Sequence, residues 1–220
     1  MKTIKNKEII RLYQNRLAKQ QIFSEEFIKK GQLKYEVKGK RIISQNGKLE
    51  TFFFLLSGSV QIKSVMSDGR LLMINVLSAP CMIGEMELLN KDYESQEVVV
   101  IKDAYLYAWN LDEAAEILLK DPLFLRELAN NLALKEKRAI QALIRERSLD
   151  ALKRLCLFIE ENRIGNQFLI RKKDVADYLG ISYRHTEKLF YDLIKKGVLK
   201  KEGLTYFIQD IRILHKLATN

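Results

Sequence analysis

Residues 171–198 read RKKDVADYLGISYRHTEKLFYDLIKKGV, and this stretch decides much of the fold. Its apolar residues recur at intervals of three and four in two runs, which predicts a short helix over 172–179 and a longer helix over 183–196. Gly180 ends the first helix, because glycine adopts a left-handed backbone at little cost, and Ser182 caps the second. Two helices joined by so tight a turn predict a helix-turn-helix.

The second helix has two chemically different faces. Its predicted core face consists of Thr186, Leu189, Phe190, Leu193 and Ile194, and its cationic face of Arg184, Lys188, Tyr191 and Lys195. Such a helix can enter the major groove of DNA. The predicted base-contacting residues are Tyr183, Arg184, His185 and Lys188, and the predicted phosphate contacts are Lys172, Lys173, Lys195, Lys200 and Lys201. The alternative is an ordinary solvated helix, since any surface helix can carry Arg and Lys.

The flanking segments complete a domain over residues 148–220. Downstream, 198–201 and 205–208 predict two strands that turn through Glu202-Gly203, as in the wing of a winged helix. Upstream, Ser148 is predicted to cap a helix that runs to about residue 162, and a short strand is predicted over 168–170.

Residues 33–109 show a pattern that is typical of antiparallel β-structure. Their short runs rich in Val, Ile, Phe and Tyr predict strands at 33–38, 40–44, 51–56, 59–66, 71–77, 96–101 and 104–109. Turn signals lie at Asn46-Gly47, Ser57-Gly58 and Asp68-Gly69. Many short strands with tight turns predict a sandwich, barrel or roll. A β-domain with helices at its N-terminus is thus expected over residues 1–110.

A helical segment is predicted over residues 111–147. Asn110 begins one helix, and Asp121-Pro122 begins a second that continues to about residue 147 with no internal Gly or Pro. Its three-and-four spacing predicts a dimerisation seam formed by Leu125, Leu128, Leu132, Ala139 and Ala142. The alternative is that this stripe packs on the protein's own body.

Composition narrows the class of protein. The 220 residues are 47% hydrophobic and 30% charged, and no uncharged apolar run approaches the ~20 residues of a membrane span. Residues 148–220 contain 14 Lys and Arg against 9 Asp and Glu, whereas residues 32–147 are balanced at 16 each. A basic end on a neutral body favours a polyanionic partner. Two cysteines without a CxxC motif indicate a reducing cytoplasm and no structural zinc.

The order of these parts resembles a known family. A β-roll, one long helix and a C-terminal winged helix are the plan of the Crp/Fnr transcription regulators, whose roll is shared with cyclic-nucleotide-binding domains. The motifs that carry the resemblance are Phe54-Leu-Leu-Ser-Gly-Ser-Val-Gln-Ile62, Asp68-Gly69-Arg70, Ile83-Gly84-Glu85 and Leu179-Gly-Ile-Ser182. Tyr183-Arg184-His185 also resembles the YeiL-like subgroup.

The resemblance implies an α+β fold with an antiparallel β-roll, or double-stranded β-helix, in the N-terminal part. It also implies a cytoplasmic homodimer that binds double-stranded DNA at an inverted-repeat operator and works with RNA polymerase. A small-molecule effector is compatible with the roll, and no membrane partner is expected.

In family members that bind cyclic AMP, the Glu of a Gly-Glu pair holds the ribose, and an Arg-Ser pair about ten residues later holds the cyclic phosphate. Gly84 and Glu85 match the first pair. The second pair falls on Ser95 and Gln96, and neither supplies the charged donor that a phosphate needs. These four residues form the expected effector pocket, in which cyclic AMP does not bind in the usual way.

Other positions weaken the cyclic AMP site further. Lys91 and Lys102 are imperfect substitutes for the missing Arg. In the family members that bind cyclic AMP a Thr-Ser pair contacts adenine, and the corresponding positions here hold Ala139 and Ile140. We therefore expect Glu85 to be a structural carboxylate that caps nearby backbone amides.

Counting residues excludes several other chemistries. Residues 1–80 contain no cysteine, which excludes the four-cysteine iron-sulfur cluster of the family's oxygen sensors. Both histidines, His185 and His215, lie in the predicted DNA-binding part, so haem ligation and metal-dependent catalysis in the roll are not expected. We expect no cofactor, no metal and no enzymatic activity. Cys81 is either a redox switch or core filling.

The sequence therefore predicts a homodimeric, sequence-specific transcription regulator. The alternative is a small-molecule-binding or enzymatic β-roll whose C-terminal helices mediate protein contacts.

Overall fold

The computed structural model describes residues 1–45, 47–65 and 71–219, without the side chains of residues 71, 138, 142, 143 and 145–148. The described residues form two compact units, one of residues 1–65 with 75–135 and one built mainly from residues 136–219. The first contains β1 (Lys2–Thr3), α1 (Lys7–Ala18), α2 (Glu25–Lys30), β2 (Gln32–Glu36), β3 (Arg41–Ile43), β4 (Thr51–Val65), residues 75–78 of β5 (Leu71–Ser78), β6 (Cys81–Ile83), α3 (Glu85–Leu89), β7 (Glu97–Asn110) and α4 (Leu111–Leu118). The long helix α5 (Pro122–Ser148) contributes residues to both units.

The strands of the first unit form the predicted antiparallel roll. Their order is β1-β2-β7-β4-β5, with β3 paired to β7 and β6 paired to β4. The two longest strands, β4 and β7, are central, and their register runs from Thr51 opposite Asn110 to Lys63 opposite Glu97. The predicted strands near 33–38, 40–44 and 71–77 are confirmed.

The predicted turn at Ser57-Gly58 is wrong, because β4 passes through it as one bulged strand. The register of β4 against β7 shifts between Leu55 and Val60, and Gly58 has φ 92°. A Cβ on Gly58 would collide with the backbone of residues 102–104, so only glycine fits this bulge. The predicted strands 96–101 and 104–109 are likewise one strand, β7. Asn46 and Asp68-Gly69-Arg70 lie outside the described residues.

Successive side chains of β4 point to opposite faces of the sheet and contribute to two hydrophobic cores. Phe53 and Leu55 face the interior of the roll, whereas Phe52 and Phe54 face the N-terminal helices, α4 and α5. Trp109 lies in the second core, where its Nε1 donates to the carbonyl oxygen of Phe27 at 2.9 Å. The helices that flank the roll are therefore fixed by aromatic packing.

Helix α5 forms as predicted, but its apolar stripe faces inward. Asp121 Oδ1 caps its start by accepting from the backbone N–H of Leu123 at 2.9 Å. Leu128 is 2% exposed in the core of its own unit, and Leu132 packs against the same core. This corrects the placement of Leu128 in the predicted seam. The other members of that seam are Leu125 and Ala139, which are exposed, and Ala142, whose side chain lies outside the described residues.

The second unit is a winged helix. Its elements are α6 (Ala151–Asn162), β8 (Gln167–Phe168), α7 (Lys172–Leu179), α8 (Tyr183–Lys195), β9 (Leu199–Glu202), β10 (Thr205–Ile208) and α9 (Ile211–Thr219), and its antiparallel sheet has the order β8-β10-β9. Phe190 of α8 packs on Tyr206 of the wing with ring centroids 4.6 Å apart. Ser148 is not the cap of α6, since Asp150 accepts from the backbone N–H of Lys153. The C-terminal helix α9 was not predicted from the sequence.

Candidate nucleic-acid interface and sensor cluster

Capping residues define the turn between α7 and α8. Gly180 ends α7 with φ 65° and ψ 30°, a left-handed backbone that suits glycine. Ser182 begins α8, and its Oγ accepts from the backbone N–H of His185 at 3.2 Å. One helix thus ends and the next begins within three residues, as the sequence predicts.

Helix α8 buries one side and exposes the other. Thr186 and Leu193 are fully buried, and Phe190 is 1% exposed, whereas Ile194, predicted as core, is 36% exposed at the edge of that face. The predicted base-contacting residues are all exposed, and we call them the recognition face: Tyr183, Arg184, His185 and Lys188. The packed side anchors the helix, so the recognition face is presented on a rigid element.

The lysines predicted at phosphates differ in their surroundings. Three of them are exposed: Lys173, Lys195 and Lys201. Lys200 is exposed as well, but its Nζ lies 2.8 Å from Glu202 Oε1, and this hydrogen bond raises the pKa of Lys200. The side chain of Lys172 is only 21% exposed, and its Nζ lies 2.7 Å from Glu187 Oε1. Lys172 therefore differs from the other four.

The pKa values agree with a Lys172–Glu187 pair. The hydrogen bond from Lys172 lowers the pKa of Glu187. Burial is the largest single influence and acts to lower the pKa of Lys172, but the hydrogen bond to Glu187 and the charges of Tyr206, Tyr183 and Glu187 together outweigh it, and the pKa of Lys172 is raised. The sequence analysis missed Glu187, although its position one helical turn after Tyr183 could have indicated it.

A second ion pair supports the start of α7. Arg171 donates from Nε and Nη2 to the two carboxylate oxygens of Asp174, at 2.9 and 3.1 Å. The Asp174 side chain is 6% exposed, so the pair fixes a buried carboxylate in the first turn of α7. The i, i+3 spacing of Arg and Asp is the sequence signal for it.

In the first unit, Glu85 lies at the start of α3, after Gly84. Gly84 has φ 94°, and a Cβ there would press against Leu49, so the turn into α3 requires glycine. Glu85 is 4% exposed, and its Oε1 accepts a hydrogen bond from Lys135 Nζ of α5. The expectation that Glu85 caps backbone amides is therefore replaced by an ion pair with a helix fifty residues away.

Some buried side-chain oxygens of the first unit lack a hydrogen-bond partner among the described residues. Three of these are Ser95 Oγ, Gln96 Oε1 and Asn131 Oδ1. We call these three residues, together with Gly84, Glu85 and Lys135, the sensor cluster. Amide and carboxylate oxygens only accept hydrogen bonds, whereas the Ser95 hydroxyl and the Lys135 ammonium can donate them, so the cluster contains both donors and acceptors.

The predicted substitutes for a phosphate-binding Arg lie on the surface. Lys91 is 79% exposed and pairs with Asp112 at 2.9 Å, and Lys102 is also exposed. Both lysines are therefore exposed, whereas Ser95, at the position of the missing Arg, is buried. Ala139 and Ile140, at the positions that would contact adenine, are exposed on α5.

The two cysteines differ in burial. Burial raises the pKa of the Cys156 thiol to about 12, so it stays protonated at neutral pH. Cys81 is half-buried in β6. Within the described part of the chain, no three His, Cys, Asp or Glu side chains come together as a metal site. Likewise, none of the helices described is both long and apolar enough to cross a membrane.

Comparison with known proteins agrees with this architecture. A model of the cyclic nucleotide-binding domain matches residues 33–121. The regulatory protein YeiL of Escherichia coli O157:H7 is 32% identical over 177 residues, which cover 80% of this chain and 81% of YeiL. FixK2 from Bradyrhizobium japonicum has a similar structure, with a TM-score of 0.70, 17% identity and coverage of 86% of this chain and 98% of FixK2.

A transcriptional regulator of the CRP family from Thermus thermophilus is also similar in structure. Its TM-score is 0.71 at 16% identity, with coverage of 85% of this chain and 97% of that protein. At this identity the two structural likenesses concern the fold alone, and the predicted roll and winged helix are both confirmed.

Proposed function

Because the chain belongs to the Crp/Fnr family of transcription regulators, we propose that it binds an inverted-repeat DNA operator as a homodimer. The observation that carries this proposal is the recognition face, which projects from a helix whose opposite side is buried. Arg184 and Lys188 on this face can donate to guanine O6 and N7 in the major groove. The exposed lysines around the face supply the contacts to phosphates.

The parts of the chain then have separate roles. Residues 1–110 act as a sensor, residues 111–147 link and dimerise, and residues 148–220 bind DNA. RNA polymerase is the expected partner on the DNA, and the cytoplasm is the expected place of action.

The outward face of α5 is the proposed dimer contact. At 3.6 residues per turn, Leu123, Leu134 and Ile140 fall within an arc of about 120°, and Leu128 lies on the opposite side. Leu134 is 55% exposed and Ile140 is 49% exposed. We propose that the same face of a second copy covers these side chains, in place of the seam through Leu128.

Replacing one base-contacting residue should change sequence preference. Arg184→Ala should lower operator affinity by ~1 to 3 kcal/mol and relax the preference at one or two base pairs. Lys201→Ala should instead weaken binding to all sequences alike and lower the salt slope by about one unit. Site selection from a random pool with each protein distinguishes the two effects. Identical selected sites from wild type and Arg184→Ala would mean that Arg184 contacts no base.

We expect no tight binding of cyclic AMP. Ser95 stands where a guanidinium would hold the cyclic phosphate, and its hydroxyl supplies no positive charge. Loss of even two hydrogen bonds to a charged group, at ~1.5 to 3 kcal/mol each, weakens affinity a hundredfold or more. Titration calorimetry checks this, and a micromolar dissociation constant would contradict it.

A further inference from the structure

Lys172 occupies a different environment from the other lysines near the recognition face. It is the first residue of α7, and its side chain is mostly covered, whereas the neighbouring Lys173 is exposed. A lysine that contacts a phosphate needs an ammonium that can reach the DNA backbone. The ammonium of Lys172 already has a carboxylate partner within its own domain.

The partners of Lys172 connect three elements of the domain. Its Nζ lies 2.7 Å from Glu187 Oε1 and 5.7 Å from the centre of the Tyr183 ring, and both residues belong to α8. Tyr183 and Glu187 are one helical turn apart on that helix. Tyr206 of the wing strand β10 also interacts with Lys172. The lysine thus links the first helix, the recognition helix and the wing.

This arrangement is better suited to orientation than to stability. Glu187 is 47% exposed, and ion pairs with so exposed a member contribute little to folding. Tyr183, which is 49% exposed, is the member of the recognition face whose ring the Lys172 ammonium approaches. A cation near a ring favours a defined ring position.

We infer that Lys172 and Glu187 are positioning residues that orient Tyr183 for base contact, and that Lys172 is not a phosphate contact. The inference rests on the proposed DNA binding. It makes sequence preference, rather than the salt dependence of affinity, the property that Lys172 controls.

The test compares Lys172→Met with Lys173→Met. Both variants remove one positive charge from adjacent residues, so their long-range electrostatic effects are matched. Lys172→Met should leave the salt slope of operator binding unchanged and should relax preference by at least about threefold at the base pair that Tyr183 contacts. Lys173→Met should lower the slope by about one unit and leave the preference unchanged.

Further variants test whether Lys172 and Glu187 act on sequence preference through the same ion pair. Glu187→Gln should relax the same base pair as Lys172→Met, and the double variant should relax it no further, because both substitutions break one bridge. Lys172→Arg, which keeps a cation beside Glu187, should retain the preference. A Lys172→Met protein with a slope lower by about one unit and an unchanged preference would overturn the inference.

A measurement without DNA separates this inference from the proposed function. Nuclear magnetic resonance titration of the Glu187 carboxyl should give a pKa below its usual range in wild type and a pKa closer to that range in Lys172→Met. Equal titration in both proteins would show that the bridge is absent and would refute the inference. A wild-type protein that selects no DNA sequence would instead refute the proposed function.

Discussion

Leu134→Glu combined with Ile140→Glu should convert the protein into monomers and lower operator affinity by at least about a thousandfold. Burial of a carboxylate in an apolar helix contact costs several kcal/mol, and two copies bring four such groups together. A monomer binds only one half-site. It therefore loses the extra affinity that a dimer gains by binding both half-sites at once. The two substitutions lie on exposed positions, so the monomer itself should fold.

Sedimentation velocity measures the oligomeric state, and a band shift on the selected operator measures affinity. Leu12→Glu is the matched control, because Leu12 is 51% exposed on α1 and the chemical change is the same. Leu12→Glu should remain a dimer with full affinity. A double variant that still sediments as a dimer would exclude the outward face of α5 as the contact.

Lys135→Met should destabilise the first compact unit, residues 1–65 with 75–135, by about 3 kcal/mol, near the lower end of the range for breaking a buried ion pair. The substitution leaves the Glu85 carboxylate, 4% exposed, without its ammonium. The Lys135 side chain is 25% exposed, which places the cost at that lower end. Glu85→Leu combined with Lys135→Met should recover most of the loss, since an apolar pair needs no partner.

Urea unfolding checks this result through the fluorescence of the single tryptophan, Trp109, which is buried in the core of the first unit. Lys137→Met is the control, because Lys137 is exposed on the same helix. We expect that control to change stability by no more than about 0.5 kcal/mol. Equal free energies of unfolding for Lys135→Met and Lys137→Met would show that the Glu85–Lys135 ion pair does not stabilise the protein.

The winged helix could be predicted closely because its signals are local. Gly180 and Ser182 act on neighbouring backbone groups, so their effect is visible within a few residues of sequence. The cap at Asp150 instead of Ser148 shows the limit of this approach, since two adequate capping residues lie two positions apart. Ser148 is instead the last residue of α5.

Contacts between distant segments could not be predicted in the same way. Gly58 reads as a turn residue, and only the backbone of residues 102–104 beside it makes it a bulge. The three-and-four spacing of Leu128 predicts an apolar stripe but not the surface that covers it. The partner of Glu85 is Lys135, fifty residues later, and no local pattern joins them.

Site selection from a random pool of DNA duplexes with the wild-type protein tests the central claim most directly. The account predicts enrichment of an inverted repeat whose half-site centres lie about 34 Å apart, one helical turn, as two copies of the recognition helix require. A pool in which no sequence is enriched after repeated rounds, at a salt concentration where the protein still binds DNA, would contradict it.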